Sequence, residues 1–524
     1  MLNLLRWSIL LIGATVVVAP LMQLIFESRN VDIEIWQHLR DNQIPNSLLE
    51  TLIFTLGSTL TALLIGSLFA LLGLSLPRLN FVLKISMALL IAIPTYVFGF
   101  LMLSFIDFSG PLQLGLKKFL GPDYYFEPRL RFWAILIYGV STAPYVYFSV
   151  DLGLKSQIKN LIEASYSLKA GVLKTLRRVL IPALKPWALA GSSLVALEAL
   201  SDFGFVDLFG LNTLSRLLYK SWGSLFSFGG AARLSLILIV VCLLLMALNH
   251  LANKSFIQRD NSSQQDYSNL FDLNNLLKCF LYFVGLLGVF IFSLLPLVLL
   301  ISYASDLNLW AELPWLNAAW SSLCTTIVTS CFVLFFTSIL FFSANAHNKF
   351  SLFLLNFLNI GYGLPGTLLA VAIYIFFSQI LNLKILSDHT GLLFLSISLI
   401  YFIKFSSLGL RSLQSQQKQL NPNLFESASL LAPDWKVFWN IKLKLYSPAL
   451  RLSLFLLFLE IIKELPASLM IKPISTPSLA VRIHQYASES DWARASVYSL
   501  VLLIILSLIL LLRKAFQLAL ESTK

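Results

Sequence analysis

Apolar runs long enough to cross a bilayer recur along the whole chain, separated by short polar breaks. A helix needs about 20 mostly apolar residues to span the hydrocarbon core. Twelve such runs can be drawn, at roughly 7–26, 52–76, 83–106, 132–152, 187–203 and 234–252, then at 279–302, 319–343, 352–379, 392–411, 449–465 and 495–512. A transmembrane β-barrel would instead show weakly alternating segments of about 10 residues. The pattern predicts an all-α polytopic membrane protein.

The most polar stretch, Lys254–Lys278, falls at the midpoint of the chain and has the composition of a solvated linker. Comparing the two sides of it exposes a duplication. Glu163-Ala-Ser recurs as Glu426-Ser-Ala at an interval of 263 residues. Pro186 pairs with Pro448, Leu197-Glu198 with Leu459-Glu460 and Asp202 with Glu464, all at 262. Leu214-Ser-Arg216 is echoed by Leu479-Ala-Val-Arg482. Six spans in each copy make the repeats parallel rather than inverted. The expected organisation is a first repeat over 1–252 with a long loop at 153–186, a linker at 253–278, and a second repeat over 279–524 with a long loop at 412–448.

Composition agrees with this picture. Of 524 residues, 57% are hydrophobic and 12% charged, about half the charged share of a soluble protein, and mean hydropathy is +0.80. A soluble enzyme and a disordered chain are both excluded. The net charge of +12 does not point to nucleic acid, because no basic run is interleaved with stacking aromatics. It follows from basic residues gathering in cytoplasmic loops. The loop at 153–186 carries Lys155, Lys159, Lys169, Lys174, Arg177, Arg178 and Lys185 against Glu163 alone. That bias puts both long loops and both termini on the cytoplasmic side of the membrane. The four cysteines form no CxxC pair and the five histidines no HExxH, so no stable metal site is expected. No GxxxxGK[ST] loop occurs. The chain itself is expected to bind no ATP by that route and to perform no covalent chemistry.

Three groups of residues remain as candidates. The paired loops each bring an acid beside small residues to equivalent places, which is more than a basic loop that only sets topology requires. The acids Glu198 and Glu460, with Asp202 and Glu464 one turn later, share a helix face in each copy. Carboxylates in a membrane are costly and face a cavity or a partner. They could border a path for a cation, or they could be bonded to a neighbouring helix or to Lys463. The run Gly361–Gly366, with Gly363 and Pro365, interrupts the ninth span. Broken backbone at membrane depth is tolerated where it is buried in protein or lines a cavity, so it is either a gate element or a kink for close packing.

The loop residues also resemble a known signature. Permease subunits of bacterial ABC importers carry Glu-Ala-Ala, a Gly six residues after the Glu, and a Leu-Pro further on. Glu163, Ala164, Ser165 and Pro182 match, Lys169 stands at the Gly position, and Gly171 follows two residues later. In the second loop Glu426 and Ala428 match, with Ala432 at the Gly position and Lys444 near the Pro. Ala92–Val97, Leu197–Gly204, Gly361–Gly366 and Lys463–Ala467 look like segments of the fused, two-repeat permeases of the ferric-iron type. The resemblance implies a membrane subunit without cofactor of its own. Its loops would dock ABC ATPase subunits, in two copies, that bind ATP and Mg, and a periplasmic binding protein would deliver the substrate. Permeases for thiamine, sulfate, phosphonate or polyamine share the architecture. An ion-coupled secondary transporter, with the membrane acids as proton relays, is the competing class.

Overall fold

Hydrocarbon offers no hydrogen-bond partners, so a chain with these runs must satisfy its backbone within each segment. In the computed structural model every regular element among the described residues is helical. The described residues are 2–169, 171–253, 274–344, 348–380, 390–421, 424, 427–428, 430, 432–471 and 477–522. Among them, eleven helices are long and apolar enough to span a membrane, and a bent pair makes a twelfth.

The first repeat contains α1 (Leu2–Glu27), α2 (Ile44–Ser75), α3 (Pro77–Ala92), α4 (Thr95–Ile106), α5 (Pro111–Leu120), α6 (Leu130–Ser167), α7 (Val172–Thr175), α8 (Ile181–Ser201), α9 (Gly204–Leu208), α10 (Leu214–Gly223) and α11 (Phe228–Asn253). The second contains α12 (Asn275–Val289), α13 (Leu295–Tyr303), α14 (Trp315–Ser343), α15 (Lys349–Leu358), α16 (Gly366–Ile380), α17 (Thr390–Gln419), α18 (Leu443–Ile462), α19 (Pro466–Ile471), α20 (Leu479–Ser488) and α21 (Trp492–Ser522).

Two expected spans are not continuous. The third, read as 83–106, breaks between α3 and α4, and the ninth, read as 352–379, breaks between α15 and α16. Each break sits at a proline, Pro94 or Pro365. A proline drives the residue before it out of helical geometry, and Ile93 (ψ 122°) and Leu364 (ψ 130°) are extended. At the second break a short 3-10 turn, Asn359–Gly363, precedes the proline, and the two arms meet at a bend of 113°.

Some local structure recurs at the interval read in the sequence. A π-helical turn occupies Leu176–Leu180 before α8 and Phe438–Lys442 before α18, 262 residues apart. The first N–H of α10, from Leu214, donates to Thr51 Oγ1 on α2 at 2.9 Å. The first N–H of α20, from Leu479, donates to Ser322 Oγ on α14 at 2.7 Å. Each hydroxyl satisfies a donor that the helix itself leaves unpaired.

The chain forms two compact units that cut across the sequence halves. One joins 40–217 with 240–315 and 483–524. Its centre is α2, α6 and α8 packed together, with Gly66 against the backbone of Ala143 and Tyr147. Small residues of this kind let membrane helices approach closely. On this centre α12 packs against α3, and α13 against α4 and α21. The other unit joins 1–39, 218–239 and 316–482. There α17 packs on α18 and α16, and α1 packs on α16 and α15. In both units the first helix of one repeat covers the broken third span of the other.

Candidate coupling hairpin and membrane carboxylates

The segment Leu161–Ser167 forms the last two turns of α6, which runs unbroken from Leu130 through Pro144 to Ser167. The break comes at Lys169, which has φ +56°. This is the left-handed region where a side chain clashes and glycine is preferred. Gly171 has an ordinary φ of −71° and begins α7. Lys169, which stands at the Gly position of the signature the loop resembles, thus adopts a backbone that favours glycine.

Behind this turn the chain doubles back into a packed hairpin. Ser165 is buried and its Oγ lies 3.0 Å from Thr175 Oγ1, tying the end of α6 to α7. Ile162, Thr175 and Leu180 are fully buried within it. Pro182 sits in the first turn of α8, where its missing N–H costs nothing. Glu163 lies on the same helical turns, but its side chain is outside the described residues. Outward, the hairpin shows Leu161 (43% exposed), Ala164 and Leu168 (83% exposed). Their spacing of three and four puts them on one helix face, an apolar stripe at a polar end of the protein.

In the second loop Glu426 lies outside the described residues. Ala428 is buried, and the Ala432 N–H donates to its carbonyl at 3.1 Å. Leu430 is 87% exposed, so this loop too carries an uncovered aliphatic side chain.

The membrane acids fall into two matched settings. Asp202 ends α8, and its Oδ1 accepts the N–H of Phe205 at 2.9 Å, capping α9. Thr95, the first residue after the Pro94 break, donates its hydroxyl to the other oxygen. Tyr138 on α6 lies within electrostatic reach. Glu464, in the other unit, is buried, and its Oε2 accepts the N–H of Ala467 at 3.1 Å, capping α19. Tyr401, 263 residues after Tyr138, approaches Oε2 at 3.4 Å and Ser468 Oγ at 2.8 Å. Gly366, the first residue after the Pro365 break, lies so close that a Cβ there would overlap the Glu464 carboxylate. In both copies, then, the second acid of the pair lies where the broken third span meets the helix that follows the fifth. Gly363 is buried at the end of its 3-10 turn, and Pro365 begins the arm that reaches Glu464.

One difference separates the two settings. Lys404 Nζ on α17 lies 3.2 Å from Glu464 Oε1, with side chains only 13% and 3% exposed. The equivalent position in α6, 263 residues earlier, is Ser141. A charged pair held in a dry interior needs such close geometry. Glu460 is half-buried and pairs with Lys463 at 2.9 Å, the alternative partner foreseen for it. Glu198 is half-buried on α8. Sequence reasoning missed Lys404, Thr95 and Tyr401. Lys404, as a lone cation inside a predicted span, was the readable signal.

It also missed a cluster beyond the fifth span. Asp207 on α9 is 2.7 Å from Arg216 Nε on α10 and 3.4 Å from His484 Nε2 on α20. The His484 ring is buried against Phe203. Burial pushes the Asp207 carboxyl up, but His484 and then Arg216 outweigh it and hold the group below its ordinary range.

Comparison with known proteins meets this geometry. The family model described as "Binding-protein-dependent transport system inner membrane component" matches residues 62–258, a stretch that includes the hairpin, Glu198 and Asp202. The Fe(3+)-transport system permease protein FbpB 2 of Haemophilus influenzae is 22% identical over 430 residues, covering 80% of each chain. The ferric transport system permease protein FbpB of Actinobacillus pleuropneumoniae is 25% identical over 467 residues, covering 83% of this chain and 65% of its own. A putative ferric transport system permease, FbpB 1, also of H. influenzae, is 25% identical over 434 residues, 76% of this chain and 66% of its own. With the family model matched across the hairpin, and relatives aligned over most of the chain, the chain is similar to the inner-membrane components of binding-protein-dependent transport systems.

Proposed function

We propose that the chain is the permease subunit of an ATP-driven importer and that its substrate is ferric iron. The observation that carries the mechanism is the hairpin. An apolar stripe of Leu161, Ala164 and Leu168 is uncovered at an end rich in lysine and arginine, where no lipid tail would shield it, and such a surface calls for a protein partner. The partner is an ATPase subunit, one for each repeat's loop, with ATP and Mg bound there. The two loops and both termini face the cytoplasm, and a periplasmic binding protein delivers substrate to the opposite face. Iron rests on the relatives, whose names state ferric transport over most of this chain.

Closure of the ATPase subunits would push on the hairpins. The π turn and Pro182 join the first hairpin directly to α8, and α8 ends at Glu198 and Asp202. A rigid displacement of the hairpin is thereby passed to the acids and, through Thr95, to the broken third span. Glu198 and Glu460 border the path. Asp202 and Glu464 hold the scaffold beside it, joined by Gly363 and Pro365 in the second repeat. Several carboxylates in a low-dielectric surrounding favour a cation.

Affinity capture of the ATPase by the tagged permease tests the docking assignment. Glu163→Lys should reduce capture by at least about ten-fold, the effect of about 1.4 kcal/mol, while the permease stays at wild-type levels in the membrane. Undiminished capture would remove the hairpin from the site.

A further inference from the structure

Beneath the hairpin lies a cavity of about 480 Å³, within a single compact unit. Three segments wall it: the end of α2 (Leu68, Leu72), the α7 and π-turn stretch (Leu176, Leu180) and the start of α12 (Leu277, Leu281). Ser75 and Asn274 are its polar lining residues. Its size suits a small-molecule site, yet it offers almost nothing for a polar ligand to bond.

The surrounding charge is of one sign. Arg78, Lys174, Arg177, Arg178 and Lys278 all stand within one to three residues of a lining position. The four flanking α2 and α7 are exposed and Lys278 is half-buried. The segments 68–78, 172–180 and 274–281 contain no acid, and none of the five cations has an ion-pair partner among the described residues. An aliphatic cavity ringed by unpaired cations at the end of a helix bundle complements one kind of molecule, with an apolar tail and an anionic head. Basic pockets between membrane helices hold anionic lipid headgroups on this principle.

We propose that this cavity binds an anionic phospholipid, one acyl chain seated among the leucines and the phosphate headgroup held by Arg177, Arg178 and their neighbours. Because α7 and the π turn form one wall, the bound lipid braces the hairpin from behind. The lipid contact is independent of the transport reading.

A photo-crosslinking amino acid, benzoylphenylalanine, placed at Leu173 in the full chain tests this directly. Leu173 lines the cavity and is 77% exposed, so the larger side chain is accommodated. A second position, Leu64 on the lipid-facing side of α2 and 70% exposed, serves as reference. After irradiation in membranes containing phosphatidylglycerol and phosphatidylethanolamine, mass spectrometry reads the attached headgroup. The expected result is phosphatidylglycerol enriched over its membrane share at position 173 and not at 64. Arg177→Gln with Arg178→Gln should cut that enrichment by about five-fold per charge removed, at about 1 kcal/mol each. Both side chains are exposed, so the variant keeps its fold. Lipid captured at 173 in its bulk proportion, attachment to residues 254–273 of the same chain, or attachment to the ATPase would each overturn the proposal.

Discussion

Lys169 shows how a left-handed turn can form without glycine. The turn that follows α6 needs a left-handed backbone, and a lysine there pays about 1 kcal/mol relative to glycine. The hairpin tolerates this because Ser165, Thr175, Ile162 and Leu180 fix both arms. Lys169→Gly should therefore raise thermal stability by about 0.5–1 kcal/mol without loss of ATPase capture, read as an upward shift of the melting midpoint. The Lys404–Glu464 pair is the second residue-scale test. Removing one partner leaves a buried charge alone, at about 3–5 kcal/mol. Lys404→Met and Glu464→Gln should each lower the yield of folded protein sharply. The double variant should recover part of it, because no unpaired charge remains. Independent, additive losses would show that the pair is not coupled in the folded protein.

At the scale of elements, what was legible in the sequence and what was not divide along physical lines. Span positions follow from length and apolarity alone, and eleven of the twelve are found near their predicted places, while the third is shifted to Thr95–Leu120. The duplication is legible because Glu198, Asp202 and Pro186 have unmistakable counterparts in a chain otherwise full of leucine. The break at Pro365 was legible from the Gly361–Gly366 run, whereas the one at Pro94 was hidden by an apolar run that continues across it. The continuation of α6 to Ser167 was hidden by charge, since the lysines after position 152 mark the end of the membrane and not of the helix. The meeting of α9, α10 and α20 at Asp207 depends on elements from both repeats, so no local pattern could have announced it. That meeting point has a pH signature. Asp207 is held below its ordinary range, so its contribution is present near neutral pH and lost as the carboxylate takes up a proton. Wild type should exceed Asp207→Asn in melting temperature at pH 7. The gap should close as the pH falls below about 4. A gap of constant size across that range would show that the charge is not what holds the helices.

At the scale of the molecule, both compact units are built from both repeats. The helix α1 is needed by the unit that holds most of the second repeat, and α12 and α13 by the unit that holds most of the first. Each broken third span is covered by a helix from the other repeat, and its second arm begins beside an acid near the end of the fifth or eleventh span, bonded through Thr95 to Asp202 in the first copy and in close approach of Gly366 to Glu464 in the second. On the proposed reading, motion of the first hairpin would be delivered through α8 to the junction of third span, fifth span and capped short helix. The central claim is that such motion, driven by ATP on a partner, moves iron through this chain. The direct measurement is uptake of radiolabelled ferric iron into proteoliposomes holding the full chain and its ATPase, with the binding protein outside and ATP within. Uptake should require ATP, ATPase and binding protein together, and should fall at least about ten-fold in the Glu163→Lys permease. Uptake by the chain alone under a proton or sodium gradient, indifferent to ATP and to Glu163, would contradict the account and make the chain an ion-coupled carrier.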